Sequence, residues 1–580
     1  MRGPSKRLVR RGSGLAMLAL MGATAASADP GYVIHNAKIV TVDDKFSIVE
    51  AAAVKDGRFV AVGSKADVLR RAGADARLID LGGKTVLPGF NDTHNHQLNY
   101  GKRFANAIDL TDIHSIADIQ RQIAERVKTA KPGEWIIGSR GWWEYDLTDG
   151  RLPDRYDLDK VAPNNPVDIP GPHYVIVNSL ALKLAGIGKD TPDPQGGEIR
   201  KDPRTGEPTG LLFDEARGVV RRVQPTATPQ EEVAGVLRMM ADNNANGITS
   251  IGEPSGSVRD MQTYRDLYDQ GKLTTRVDFA FNVNPIQPLE KSEAEIAALG
   301  KPGHEFGDGM FRADQLGEVQ LDGAELTAFL REPYPDRPDY SGLQKVPTDH
   351  YKAFAALAAR YGYRLRPHAV GDAAIDEALE AFEYANSKTD ISKRRWMIDH
   401  AFLLLPDHYP RVKALGVIIN AQYMLNAQLG ALILKAWHRP LADKMMNYKD
   451  WLDAGLMFTN GADGPVSYHP WPLYQIYGAV TRKTMWGDVL GPDQGITREQ
   501  AIRAVTSWSA YTSFEEKVKG SIEPGKYADF VVLSDDVLTV PAEKIKDIKV
   551  LATVLGGRPV FGSLASGDVV RTALAEQDSQ

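Results

Sequence analysis

Tyr363-Arg364-Leu365-Arg366-Pro367-His368-Ala369-Val370-Gly371-Asp372 runs from a short strand through a tight turn into a helix, where Ile375, Ala378, Leu379 and Phe382 recur on one face and Asp372 is the expected N-cap. The same strand-then-helix alternation extends in both directions. Further strand-like segments are Trp135-Ile136-Ile137, Gly247-Ile248-Thr249-Ser250-Ile251, Arg276-Val277-Asp278-Phe279, Glu318-Val319-Gln320-Leu321, Trp396-Met397-Ile398, Gly416-Val417-Ile418-Ile419 and Leu456-Met457-Phe458-Thr459. Strands alternating with amphipathic helices indicate a parallel α/β sheet or barrel, and eight of them suit a (β/α)8 TIM-like barrel.

Outside this region the texture changes. Residues 30–88 and the segments Tyr527-Ala528-Asp529-Phe530-Val531-Val532-Leu533 and Val550-Leu551-Ala552-Thr553-Val554-Leu555 are short apolar strands separated by turns. Neither end holds enough apolar residues for a core of its own. The expectation is one small β-sandwich domain built from 29–88 plus 515–580, flanking a barrel over 89–514. A stretch rich in Pro, Gly and Asp at about 140–240 is expected to be an insertion over the barrel mouth.

At 580 residues, with 43% hydrophobic and 25% charged residues, the chain has an ordinary globular composition. A net charge of −6, with no long basic run beyond the first dozen residues, gives no reason to expect nucleic acid as a partner and favours a small-molecule substrate. Lys6, Arg7, Arg10 and Arg11 precede an apolar run from Leu15 to about Ala25 and then Ala26-Ser27-Ala28, the layout of a cleavable signal peptide over residues 1–28. Export to the periplasm or beyond follows as the expectation, by a Sec or twin-arginine route, with no membrane attachment after cleavage. A homodimer stays open. Cysteine is absent, which excludes disulfides, thiolate metal sites and cysteine nucleophiles.

Pro88-Gly89-Phe90-Asn91-Asp92-Thr93-His94-Asn95-His96 ends a strand, and strand alternation points His94 and His96 to one side. Two imidazoles so placed suit one divalent metal. His368, His400 and Asp463 each end another strand. Catalytic groups of barrel enzymes gather at such strand ends, so the five together carry more weight than any alone.

These motifs, with Gly196-Gly197-Glu198-Ile199, Asp322-Gly323, Asp399-His400-Ala401 and the closing Gly520-Ser521-Ile522-Glu523-Pro524-Gly525-Lys526-Tyr527-Ala528-Asp529, resemble the YtcJ-like branch of the amidohydrolase superfamily, the group that includes N-substituted formamide deformylase. The resemblance implies that His94, His96 and Asp463 bind one ion and that His368 and His400 bind a second. Many relatives bridge the two ions with a carboxylated lysine four residues before the Asp-Gly pair. That position here is Glu318, whose two oxygens and single negative charge match those of a lysine carbamate. A single-ion site stays open, as does an ordinary structural role for Glu318. Zinc suits the ligand set best, with iron, manganese or nickel as alternatives.

The resemblance further implies hydrolysis of a non-peptide C–N bond, amide or formamide in type. A divalent ion makes hydroxide available near neutral pH, and Asp463 serves as ligand and general acid/base. His173 aligns with a histidine near the substrate in this branch, giving it a substrate or oxyanion role. Trp143, Gln422 and Tyr423 are expected at the substrate, with Trp142 and Trp437 in segments that line the pocket, and Asp92 and Asp399 as carboxylates orienting the ligand histidines. A deaminase or cyclic-amide hydrolase on the same centre remains an alternative, as does an inactive exported binding protein.

Overall fold

The structure, a computed structural model, describes residues 31–564 apart from 104, 112, 140, 143, 145, 146, 172, 173, 195, 196, 215 and 465–471. The expected signal peptide at 1–28 and the end of the C-terminal segment lie outside the described residues.

Eight parallel strands follow one another in chain order: β1 (Phe90–Asp92), β2 (Ile248–Gly256), β3 (Arg276–Phe281), β4 (Phe311–Gln320), β5 (Arg364–Ala369), β6 (Met397–His400), β7 (Ile418–Ala421) and β8 (Phe458–Asn460). Register is fixed by pairs such as Ile251 with Val277, Leu316 with Leu365, His368 with Asp399 and Asn420 with Thr459. Past the ends of β1 and β8 the Asp463 N–H donates to the His94 carbonyl, and the His96 N–H to the Gly464 carbonyl, both at 2.8 Å. These bonds all but close the sheet into a barrel, and they bring Asp463 beside the two histidines. The barrel strands are covered on both faces, and every residue of β3 and β5 is buried, charged ones included.

Helices cover the outside, among them α1 (Pro229–Ala245), α2 (Asp372–Lys388) and α3 (Tyr423–Ala442). Thr228 caps α1 in a reciprocal box with Glu231. In α2 the expected stripe Ile375, Ala378, Leu379 and Phe382 is fully buried, with the Phe382 ring 4.8 Å from that of Trp396. The cap expectation needs correcting, because Gly371 takes the N-cap position and Asp372 is the first helical residue. The Asp372 carboxylate accepts the N–H of Arg331 at 3.0 Å, so it ties a neighbouring loop to the helix start.

Trp135-Ile136-Ile137 is also corrected. Ile136–Ile137 pairs with Val167–Pro170 in a separate five-stranded sheet, inserted between β1 and β2 and completed by Tyr174–Val177, Gly197–Lys201 and Pro208–Asp214. Phe90–Asp92 takes the barrel position. The inserted sheet has its own apolar cluster, including Leu110, Ile123, Ile136, Ile169 and Ile176.

Strands from both chain ends form one eight-stranded sheet, joined where Thr85–Pro88 runs antiparallel to Phe530–Leu533. Ile34, Phe59, Val86, Phe530 and Val554 share its main core. At the far edge Arg58 bridges to Tyr527, and Phe59 lies 6.0 Å from Phe530. The sheet is anchored to the barrel by Arg276 at the start of β3, whose Nε and Nη2 donate to Asp529 at 2.7 and 3.1 Å in a buried ion pair. Among the described residues no helix is long and apolar enough to cross a membrane.

Candidate metal centre

Four strand ends deliver the cluster. β1 leads to His94 and His96, β4 to Glu318, β5 to His368 and β6 to His400, while the loop after β8 supplies Asp463. His96 Nε2 lies 3.2 Å and His94 Nε2 3.5 Å from Asp463 Oδ1. An ion with tetrahedral bonds of about 2.0–2.2 Å sets its ligand atoms about 3.3–3.6 Å apart, so this spacing fits a bound metal. His94 Nε2 is fully buried and finds no hydrogen-bond partner among the described residues, as a nitrogen reserved for an ion would be. A second set, His94, Glu318 and His400, also has its ligand atoms within 4.8 Å of one another.

Glu318 divides its oxygens between the histidine pairs. Oε1 lies 2.8 Å from His368 Nδ1 and 2.9 Å from His400 Nε2, and Oε2 lies 3.8 Å from His94 Nε2 and 3.7 Å from His96 Nε2. Burial alone would push this carboxyl up. The charge of His94 and the hydrogen bonds from His368 and His400 instead hold it well below the usual carboxylate range. Asp463 behaves likewise, its burial outweighed by the neighbouring His94 and His96, which hold it well below the usual carboxylate range. His400 and Asp463 have φ of 71° and 56°, backbone conformations uncommon outside glycine that turn both side chains inward at the rim. Gly461 allows this turn to sit against β1, since a Cβ there would stand 2.6 Å from the His94 backbone nitrogen.

The floor beneath the histidines is a charged network. Asp399 Oδ1 lies 3.3 Å from His94 Nδ1 and accepts from Arg366 Nη2 at 3.0 Å and Asn420 Nδ2 at 2.6 Å, and its Oδ2 accepts from Arg366 Nε at 2.9 Å. Burial opposes ionisation of Asp399, but the Arg366 and His94 charges prevail and pull it down to about 2. Asp399 thus fixes the ring of His94. His368 is fixed by its Nε2–H, which donates to the Gly323 carbonyl at 3.2 Å and leaves Nδ1 for the site. Asp322 holds the turn after β5 by accepting the N–H groups of Val370 at 3.0 Å and Gly371 at 2.8 Å.

Asp92 touches no histidine ring. It accepts the backbone N–H groups of His94 at 3.2 Å and Ala462 at 2.8 Å, so it pins β1 to the Asp463 loop rather than orienting an imidazole. Asp322 stands in the Asp322-Gly323 motif of the sequence without a role there, and Arg366 and Asn420 are added by the structure. Arg366 had a signal in β5, where it stands two residues before His368 and therefore on the same, inward face.

Above the ligands opens a cavity of about 380 Å³, with Tyr100, Trp142, Phe402, Leu425 and Leu429 among its walls. Trp142 is held there by its indole N–H, which donates to the Pro170 carbonyl at 3.1 Å. His173 and Trp143 lie outside the described residues. Gln422 and Tyr423 do not line the cavity and are corrected. β7 passes at once into α3, whose first turn is buried, with the Gln422 amide donating to the Asn420 carbonyl at 2.7 Å and the Tyr423 ring 6.0 Å from Tyr448. Trp437 is likewise core, its ring 6.4 Å from Phe402.

An imidazole and carboxylate cluster at the C-terminal strand ends of a parallel barrel, below a partly apolar cavity, is the arrangement of a barrel enzyme with a metal site. The chain belongs to the amidohydrolase family, whose profile matches residues 77–561. It is 29% identical over 549 residues to N-substituted formamide deformylase of Arthrobacter pascens, covering 90% of this chain and 97% of that protein. It is 28% identical over 541 residues to the putative amidohydrolase YtcJ of Bacillus subtilis, covering 91% and 98%. Among solved structures, a metal-dependent hydrolase of Pyrococcus furiosus superposes with a TM-score of 0.68 at 25% identity, over 88% of this chain and all of that one. The protein is a hydrolase of this family.

Proposed function

We propose that the protein hydrolyses a non-peptide C–N bond, of the amide or formamide type, in a small molecule. The observation that carries the reading is Glu318, which turns one oxygen to His368 and His400 and the other to His94 and His96. A carboxylate placed between both histidine pairs could serve two ions at once. His94, His96 and Asp463 would hold one, His368 and His400 the other, with zinc the best match to imidazole and carboxylate donors. When bound, such ions lower the pKa of a water and polarise a carbonyl oxygen. The N-substituted formamide deformylase named above supports the choice of bond.

The side chains do the remaining work. Asp463, ionised between two histidines and open to the cavity, accepts a proton from the attacking water and delivers it to the departing nitrogen. Asp399 and Arg366 keep His94 in place from below. Trp142, Phe402, Leu425 and Leu429 offer an apolar surface to the substituent beside the scissile bond. Export after loss of residues 1–28 belongs to the same reading, on the strength of the basic-then-apolar layout. So does closure of the two-ended sheet as a small β-sandwich, supported by the Arg58–Tyr527 bridge.

Metal-replete protein incubated with aromatic N-substituted formamides tests the reaction. Formate and the free amine in equal amounts are the expected products. Ammonia with the carbon skeleton intact would replace the proposal with a deaminase, and ligand-induced stabilisation without any product would replace it with a binding protein.

A further inference from the structure

Helix α3 sends Leu425, Gln428 and Leu429 to the cavity that holds Glu318, His368, His400 and Asp463. Their i, i+3, i+4 spacing places them on one helix face. Leu425 and Leu429 are apolar. Gln428 is 1% exposed, and neither its Nε2 nor its Oε1 has a hydrogen-bond partner among the described residues. A primary amide carries two donors and an acceptor, and buried amides are almost always paired. The helix is otherwise secured at this point, since the Gln428 carbonyl accepts the Trp486 indole N–H at 3.1 Å. An unspent donor and acceptor between two leucines, in the wall of the reaction cavity, is what a ligand-reading group looks like before its ligand arrives.

The charge of the cavity narrows the ligand. Apart from Glu318 and Asp463, which the reading above commits to the ions, its described lining includes Glu325 and no lysine or arginine. A substrate carboxylate reaching this wall would find no side-chain cation to pair with, whereas a neutral group needs none.

We propose that Gln428 is a specificity-determining residue that recognises a second, uncharged amide on the substrate, remote from the scissile bond. The Gln428 side-chain Oε1 accepts the N–H of that group, its Nε2 donates to the C=O, and Leu425 and Leu429 flank the adjoining apolar substituent. The proposal rests on the C–N hydrolase reading above and names its substrate class.

Three formamides that share a phenyl group test it: N-formylphenylalaninamide with the second amide, N-formyl-2-phenylethylamine without it, and N-formylphenylalanine with a carboxylate. The expected order of kcat/KM in the metal-replete enzyme places the carboxamide about tenfold or more above the phenylethylamine, with the carboxylate last. In Gln428→Leu the ratio of the first two falls toward one, chiefly through KM, and Gln428→Met serves as a second variant should the leucine protein fold poorly. A ratio that survives both substitutions overturns the assignment. Kd values for the same probes separate the two readings. Discrimination in Kd that Gln428→Leu abolishes supports Gln428 even where no probe is turned over, in which case the hydrolase reading is what fails. Equal Kd for all three in the wild type overturns the assignment whatever the turnover.

Discussion

Around Asp463 the ligand atoms of His94 and His96 stand 3.5 and 3.2 Å away, whereas Glu318 Oε1 sits 2.8 and 2.9 Å from His368 and His400. The first spacing is that of ligands around an ion, and the second is that of direct hydrogen bonds. The outer nitrogens differ too. His94 Nδ1 is braced by Asp399, itself locked to Arg366, while His400 Nδ1 has no partner among the described residues. One half of the centre is therefore preorganised, and the other must shift Glu318 Oε1 to admit a metal. Two ions should bind in separable steps, the tighter at the His94 half, and a metal titration with a single step would remove the distinction.

Asp463→Asn should produce the largest effect. The amide keeps an oxygen facing His94 and His96 but cannot take a proton, so turnover should fall about 10²–10⁴-fold while much of the metal stays bound. Near-normal turnover in steady-state assays would end the proton-transfer role of Asp463.

Asp399→Asn attacks the brace. His94 loses its carboxylate partner, and metal affinity at that half should drop about 10–100-fold. Arg366 is left buried without its counter-charge, which should cost about 3–5 kcal/mol by denaturant titration. Adding Arg366→Met should recover much of that stability without restoring the metal affinity. Recovery of both would mean that Asp399 serves the fold alone.

The smallest effect lies on α2, which follows His368. Burial lifts Glu377 to about 7 from 4.5, so the folded protein keeps a proton that the unfolded chain has lost. The associated stability is fully present below about pH 4.5 and fades as the pH rises to about 7. Glu377→Gln should flatten stability across that window, and an unchanged slope in urea titrations at several pH values would assign it to other groups.

Much of this was legible in the chain. His94 and His96 reach the same site just past β1, as a strand-end pair two residues apart suggests, and His368, His400 and Asp463 sit at or just beyond strand ends where a barrel gathers its chemistry. Other features were not. Periodicity identifies Ile136–Ile137 as a strand but cannot say which sheet it joins, and the chain gives it to the inserted sheet rather than the barrel. Gln422 and Tyr423 follow β7 directly, yet it is Leu425, Gln428 and Leu429, further along the helix, that line the cavity. The choice depends on how α3 is rotated, which tertiary packing sets. Arg366 shares the inward face of β5 with His368, but its partner Asp399 is 33 residues away, so the pairing itself is not legible. Glu318 needed the family resemblance, because a lone acid in a strand carries no mark of a bridge.

The most direct test of the centre is metal content per chain, by elemental analysis of the wild type and Glu318→Ala prepared side by side. A carboxylate that bridges the two halves predicts about two ions in the wild type and a clear fall in the variant. About one ion in both proteins would contradict it, leaving a mononuclear site with Glu318 outside it.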